Sequence, residues 1–268
     1  MGDFDFKVID VEEEIQHIVD EIKKYFVKNG NENTKAVIGI SGGKDSTIAA
    51  ALLVRALGPE RVFGVLMPDG DQKDIKDSVE VCNILHIPYR AYNIGPITKM
   101  FAGMVGDAYK NPAVNTNTPA RIRMATLYAV AADMGGRVIN TGNKSELYIG
   151  YTTKYGDLAG DFAILKDYCV REVIEIGDNL DELPAHLVHK APGDGMSGKT
   201  DEDNTGIPYD VLDAYLLDEV LPDYETLRKI EERHTRNLHK RDICMPYIRI
   251  KTRAWHENSN KEESPFSF

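Results

Sequence analysis

The sequence predicts an α/β fold, a doubly wound parallel sheet with flanking helices. Three observations carry this expectation. Short β-branched runs with few charged residues stand at 36–40 (AVIGI), 61–67 (RVFGVLM) and 137–141 (RVINT). Helical patterns alternate with them, and each run ends in small or polar residues. A continuous apolar run is what a strand buried on both faces of a parallel sheet requires.

The first helix is announced by Asp10, a capping residue with Glu13 at the third helical position, followed by Val11, Ile15, Ile18, Val19, Ile22, Tyr25 and Phe26 at helical spacing. The strand at 36–40 then runs into Ser41, Gly42 and Gly43, where backbone amides can point into a concavity, and a helix over 45–57 presents its N-terminus to an anion. Gly39, Ile40, Ser41, Gly42, Gly43, Lys44, Asp45 and Ser46 therefore read as a phosphate cradle. It is not the GxxxxGK[ST] loop, which would need glycine at Ile38 and a hydroxyl at Asp45. A carboxylate directly after Lys44 would repel a bare phosphate, so Asp45 implies Mg²⁺ between them.

Downstream, Pro68-Asp69-Gly70 breaks the second strand, a helix is expected over 71–85 and a weaker strand over 87–94. The stretch 110–119 (KNPAVNTNTP) is rich in turn formers and reads as a loop before a helix over 119–134. The strand at 137–141 is followed by GNKSE. Ligands of such sheets bind beyond the carboxyl ends of the strands, and SGGKDS, PDGDQ and TGNKSE all fall there.

From Tyr148 the alternation weakens. The glycine-rich 148–161 reads as binding surface, 163–180 as strand then helix, and the long connection 184–208 as a mobile cover. Helices are expected over 209–217 and 224–239, with His239-Lys240-Arg241 favoured at a helix C-terminus by the dipole. The tail 258–268 is polar and expected to fray.

Composition bounds the function. At 268 residues, 42% hydrophobic and 28% charged, the chain reads as globular. A formal charge of -11 argues against broad nucleic-acid binding. Cys82, Cys169 and Cys244 form no ligand cluster or disulfide framework, and no leader or membrane-length run is present, so a reduced, cytoplasmic protein is expected.

The SGGKDS stretch resembles the SGGxDS signature of the ATP pyrophosphatase superfamily. Together with ARIRM (120–124), NTGNKSE (140–146), TKYGDLAGD (153–161), GKTDEDNTGIPY (198–209) and HKR (239–241), the chain resembles the ammonia-dependent NAD⁺ synthetases along nearly its whole length. The resemblance implies a homodimer that uses ATP and Mg²⁺ to convert deamido-NAD to NAD⁺, AMP and pyrophosphate. A single synthetase domain over 1–268, with no room for a glutamine-hydrolysing domain, implies free ammonia as nitrogen donor. By the same resemblance Asp45 and Glu146 hold the metal, Thr141 and Thr200 contact ATP, and Arg121, Lys154, Asp161, His239 and Lys240 hold deamido-NAD. Lys44 and Asp157 are the catalytic candidates, Asp157 for receiving a proton from ammonium or orienting ammonia.

One departure bears on ATP. Where the family wording has a lysine in a GDLYK-like segment, this chain reads KDYCVR, with Val170 at that position. Either the neighbouring Arg171 takes over the contact or the contact is lost. Two other readings remain open on sequence: another ATP pyrophosphatase, such as an amidotransferase synthetase domain or a tRNA-modifying enzyme, and a non-catalytic adenine-nucleotide binding module. The tRNA option wants a basic surface and paired cysteines. A binding module has no need of an acid pair holding Mg²⁺.

Overall fold

The computed structural model describes residues 10–71, 75–106, 110–191 and 200–241. In chain order its elements are α1 (Val11–Asn29), β1 (Ala36–Gly39), α2 (Lys44–Leu57), β2 (Val62–Leu66), α3 (Ile75–Ile84), β3 (Tyr89–Ala91), α4 (Gly95–Val105) and α5 (Pro112–Met134). There follow β4 (Arg137–Asn140), α6 (Lys144–Ile149), β5 (Phe162–Ala163), α7 (Val170–Asp178), α8 (Ala185–Val188), α9 (Asp201–Thr205), α10 (Tyr209–Leu217) and α11 (Tyr224–Arg236).

The five strands form one sheet in the order β3-β2-β1-β4-β5, every pair parallel. From β1 the chain moves outward through β2 and β3, then crosses back to lay β4 on the other side of β1, with Ile38 opposite Ile139. That reversal opens a crevice at the carboxyl ends of β1 and β4.

Both faces of the sheet are covered, which is why its strands read as unbroken apolar runs. Ala36, Ile38 and Ile40 join Ile15, Ile18, Ile22 and Phe26 of α1 and the buried face of α2 in one core. Val37, Val65 and Val138 point the other way, onto Val130 and Ala131 of α5. A third apolar cluster joins Ile149 of α6, Val170 of α7, Leu212 and Leu216 of α10 and Ile230 of α11, and so carries α11 up against the crevice.

Asp10 caps α1 as expected, accepting from the Glu12 and Glu13 amides. The expected loop over 110–119 is corrected: α5 begins at Pro112. Asn111 caps it by accepting from Ala113 N, and proline at the first helical position already has the right φ and no amide to leave unpaired. Pro119 lies inside the same helix, where it removes one backbone bond without ending the element. Helix α4 had no counterpart in the sequence reading, and the strand expected over 87–94 contracts to Tyr89–Ala91. Part of the 184–208 connection is ordered as α8 and α9, while 192–199, Cys244 and the tail 258–268 lie outside the described residues. Among the described residues no helix is long and apolar enough to cross a membrane.

Candidate active site

The cradle forms where β1 hands over to α2. Gly42 takes φ 77°, a left-handed conformation that a side chain would strain. Ser41 and Ser46 then lock the turn: their hydroxyls lie 3.0 Å apart, Gly43 N donates to Ser41 Oγ at 3.1 Å and Ser46 Oγ donates to Gly43 O at 3.1 Å. No side chain caps α2, so its first-turn amides are left for a ligand.

Beside the cradle, α6 brings a second acidic group. Asn143 and Glu146 form a reciprocal capping box, with Glu146 N donating to Asn143 Oδ1 at 3.0 Å and Asn143 N to Glu146 Oε2 at 3.3 Å. The amide of Asn143 also donates to Asp45 Oδ1 at 3.2 Å, tying the two helix starts together across the β1/β4 crevice. Lys44, 2% exposed, places its ammonium 2.7 Å from the other Asp45 oxygen. Burial disfavours the Lys44 charge, but Asp45, Glu146 and Asp201 outweigh it and raise its pKa. Glu146 is pushed well above the ordinary carboxyl range, first by burial and then by the Asp45 charge.

Two half-buried carboxylates side by side, with the Glu146 charge disfavoured by burial and by Asp45, are suited to a hard divalent cation, which would favour the ionised Glu146. The Tyr209 hydroxyl, buried without a hydrogen-bond partner, has its ionisation suppressed by burial and by Glu146, Asp201 and Asp45. Among the described residues no group of three or more potential ligands forms a complete metal site. Asp45 and Glu146 thus fit an ion that takes its remaining ligands from phosphate and water, the usual habit of Mg²⁺.

From Ser41 a cavity of about 830 Å³ runs along the crevice to Asp157. Its floor is the carboxyl edge of the sheet, at Gly39, Val65, Ile139 and Thr141, and its far wall is the 150–157 loop with α11. Asn140 fixes that loop, donating from Nδ2 to Asp157 O at 2.6 Å and Ala159 O at 3.3 Å. A Cβ at Gly160 would stand 2.8 Å from Asn140 Cβ, so only glycine lets the loop come this close to β4. The Asp157 carboxyl opens to the cavity and accepts from Thr153 N. The protein atoms crowded around it push its pKa up to about 6, against the opposing pull of that hydrogen bond and of Lys240.

Of the residues singled out in the sequence, Gly39, Ile40, Ser41, Thr141, Asp157 and Lys240 line the cavity, with Lys44, Asp45 and Glu146 clustered at the cradle. Others stand apart from its lining. Arg121 Nε donates to Lys154 O at 3.3 Å, and Lys154 Nζ donates to His239 O. Asp161 belongs to the sheet, accepting from Val138 N at 2.7 Å. Thr200 caps α9 and so brings Asp201 toward Lys44. Arg171 is turned onto Asp218, 2.8 Å away, and Val170 is buried in the apolar cluster. Three functional positions have only weak signals in the sequence: Asn143, whose three-residue spacing to Glu146 is a cap signature, and Arg233 and Arg236, ordinary cations near a helix end.

The NAD synthase family profile matches residues 14–244. The chain belongs to the NAD synthase family. Among its relatives, the NH(3)-dependent NAD(+) synthetase of Archaeoglobus fulgidus is 36% identical over 247 residues, which is 90% of this chain and 98% of that protein. The structure of NMN synthetase from Francisella tularensis superposes with a TM-score of 0.81 at 32% identity, covering 89% of this chain and 98% of that one. The NH3-dependent NAD synthetase of Campylobacter jejuni superposes at 0.71 with 28% identity over 88% of this chain and 98% of that one. NAD synthase membership accounts for both the sheet order and the cradle at its switch point.

Proposed function

We propose that this protein amidates deamido-NAD with ammonia at the expense of ATP, yielding NAD⁺, AMP and pyrophosphate, the closing step of NAD biosynthesis. The observation that carries the reading is the continuity of one cavity from the phosphate cradle to Asp157.

A carboxylate resists ammonia because oxide is a poor leaving group. Nicotinate oxygen therefore attacks the α phosphorus of ATP, pyrophosphate leaves, and ammonia then displaces AMP from the mixed anhydride. On this reading the first-turn amides of α2, Ser41, Ser46 and Lys44 hold the departing pyrophosphate and Thr141 contacts ATP from the cavity floor, with Thr200 at the start of α9 added by the resemblance alone. Asp45 and Glu146 would hold Mg²⁺, which supplies Lewis-acid charge to the phosphates when bound. Asp157 takes the proton that ammonium or the attacking ammonia must lose; a carboxyl raised to about 6 is a far better base than an ordinary aspartate. Lys240 positions the 150–157 loop through Gly150 O and Thr152 O, each at 2.7 Å. Arg121, Lys154 and His239 link that loop to the end of α11.

The assembly we propose is a homodimer built on α4, whose Met100 and Met104 are each 71% exposed beside Ile97 and Phe101. The buried free thiols Cys82 and Cys169 fit a reducing, cytoplasmic setting.

A second reading is amidation of the mononucleotide, favoured by the superposition on the Francisella tularensis NMN synthetase. Purified protein with ATP, Mg²⁺ and ammonium is given deamido-NAD or nicotinic acid mononucleotide in parallel, and amide, AMP and pyrophosphate are quantified. Equal yields of all three products with the dinucleotide, at higher kcat/KM than with the mononucleotide, are expected. Preference for the mononucleotide would select the second reading, and no product with either would defeat both.

A further inference from the structure

The cavity has a second charged wall, away from the cradle. Arg233, Arg236 and Lys240, spaced at i, i+3 and i+7, line it together with Asn237. In a chain of formal charge -11, such a concentration of cations toward one space asks for an explanation.

Lys240 is accounted for by the two carbonyls it holds. Arg233 is not. It is half-buried, and its hydrogen bond to Asn204 O, at 3.5 Å, is long for a charged donor. Among the described residues no carboxylate forms an ion pair with either Arg233 or Arg236. Burial and the neighbouring Arg236 both depress the Arg233 pKa, so a half-buried guanidinium lines the cavity beside a second, exposed like charge. Removing a guanidinium from water without a counter-ion is unfavourable, and an arriving anion relieves both the desolvation and the mutual repulsion.

The geometry points to Arg233, supported by Arg236, as the phosphate anchor for the nicotinate nucleotide. The planar guanidinium can meet two phosphate oxygens at once, which an ammonium cannot. The shared chemistry of phosphate allows two sources, ATP or the nicotinate nucleotide. Arg233 shares its wall with Gly150, Thr152 and Asp157, whereas the uncapped amides for the ATP phosphates lie at the start of α2. The nucleotide is therefore the assigned source. This inference rests on the reaction proposed above.

The test is calorimetric binding to the full chain of deamido-NAD, nicotinic acid mononucleotide and Mg²⁺-ATP, with nicotinic acid riboside, which lacks phosphate, measured as a competitor. Wild type, Arg233→Ala, Arg233→Lys and Arg236→Ala are compared. Arg233→Ala is expected to weaken both phosphate-bearing nicotinate ligands by about ten- to a hundredfold, the scale of a lost charge-assisted hydrogen bond. The riboside should be unaffected, Mg²⁺-ATP should change by less than about threefold, and Arg233→Lys should recover part of the loss. Equal loss toward the riboside would make Arg233 a packing residue and overturn the assignment. Loss toward ATP alone would move the anchor to the other substrate, and no loss would remove it. Should Arg233→Ala not fold, Arg236→Ala and Arg233→Lys carry the same comparison. Failure of wild type to bind either nicotinate nucleotide would instead defeat the proposed reaction, independently of the variants.

Discussion

At the scale of single residues, Asp45 and Asp157 illustrate two opposite uses of a carboxylate. Asp45 is held between Lys44 and Asn143 with its charge matched. Asp45→Asn keeps the shape and removes the charge, so adenylation, followed by ATP–pyrophosphate exchange, should fall by on the order of a hundredfold or more while the circular dichroism spectrum is retained. Near-normal exchange would remove Asp45 from the chemistry. Asp157 is the reverse case, a carboxyl whose surroundings disfavour its charge. Below about pH 6 it is protonated and cannot accept a proton, so kcat should decline on the acid side through that value, and Asp157→Asn should abolish that limb with most of the activity. The stability sign is opposite. A folded pKa above the unfolded one means that the folded state binds more protons between about pH 4 and 6 and loses stability as pH rises through that window. Asp157→Asn should therefore flatten the denaturation midpoint across this range. Asp45 and its cradle were readable from sequence because turn, cation and acid are contiguous. The loop that carries Asp157 is held by Asn140 and Lys240, one distant in each direction along the chain, and no local pattern encodes that.

Among elements, the start of α7 shows how three helices are registered to each other. Ser145 on α6 donates to Asp213 on α10 at 2.5 Å and accepts from Val170 N at 3.1 Å, while the other Asp213 oxygen accepts from Arg171 N at 2.7 Å. Ser145→Ala would strand a buried carboxylate and a buried amide together, at a cost of about 1–3 kcal/mol in denaturant unfolding. Because Glu146 is the next residue, the Mg²⁺ dependence of turnover should shift as well; unchanged stability and metal dependence would dismiss the network as incidental. The main elements were legible wherever local chemistry agreed with burial: β1, β2, β4, α1 and α2 all follow their apolar pattern. At 110–119 the local chemistry misleads, because Asn, Thr and Pro suggest turns. The stretch is instead the first two turns of α5, with Pro112, Thr116 and Asn117 facing the cavity rather than a core, so no hydrophobic stripe marks it. Likewise α4 offers little buried surface and a broadly apolar composition, a pattern without the polar face that identifies an ordinary surface helix.

For the molecule as a whole, that same α4 surface bears on assembly. Met100 and Met104 lie one helical turn apart and both project outward. On the proposed homodimer, wild type should sediment as a dimer and Met104→Glu should weaken self-association by about 1–2 kcal/mol, visible by sedimentation velocity as a shift toward monomer. An unchanged sedimentation coefficient would locate the contact elsewhere. Charge is also organised at this scale. An acidic exterior surrounds a cavity whose ends differ in sign, with carboxylates and Lys44 at the cradle and arginines at the opposite wall. The cradle could be read as a motif because it is contiguous. The arginine wall could not, since its meaning depends on α11 being carried to the crevice by Ile149, Leu212 and Ile230.

The burial of Val170 limits which side chains its position can accept. The resemblance implies a lysine reaching ATP at its place, yet here Val170 lies 6% exposed in the same cluster as Ile149, Ile207 and Leu212, and Arg171 is committed to Asp218. Val170→Lys alone would drive an ammonium into a space packed around a smaller, apolar side chain. Accepting a lysine at 170 thus needs room and a polar partner that Ile149, Ile207 and Leu212 do not supply.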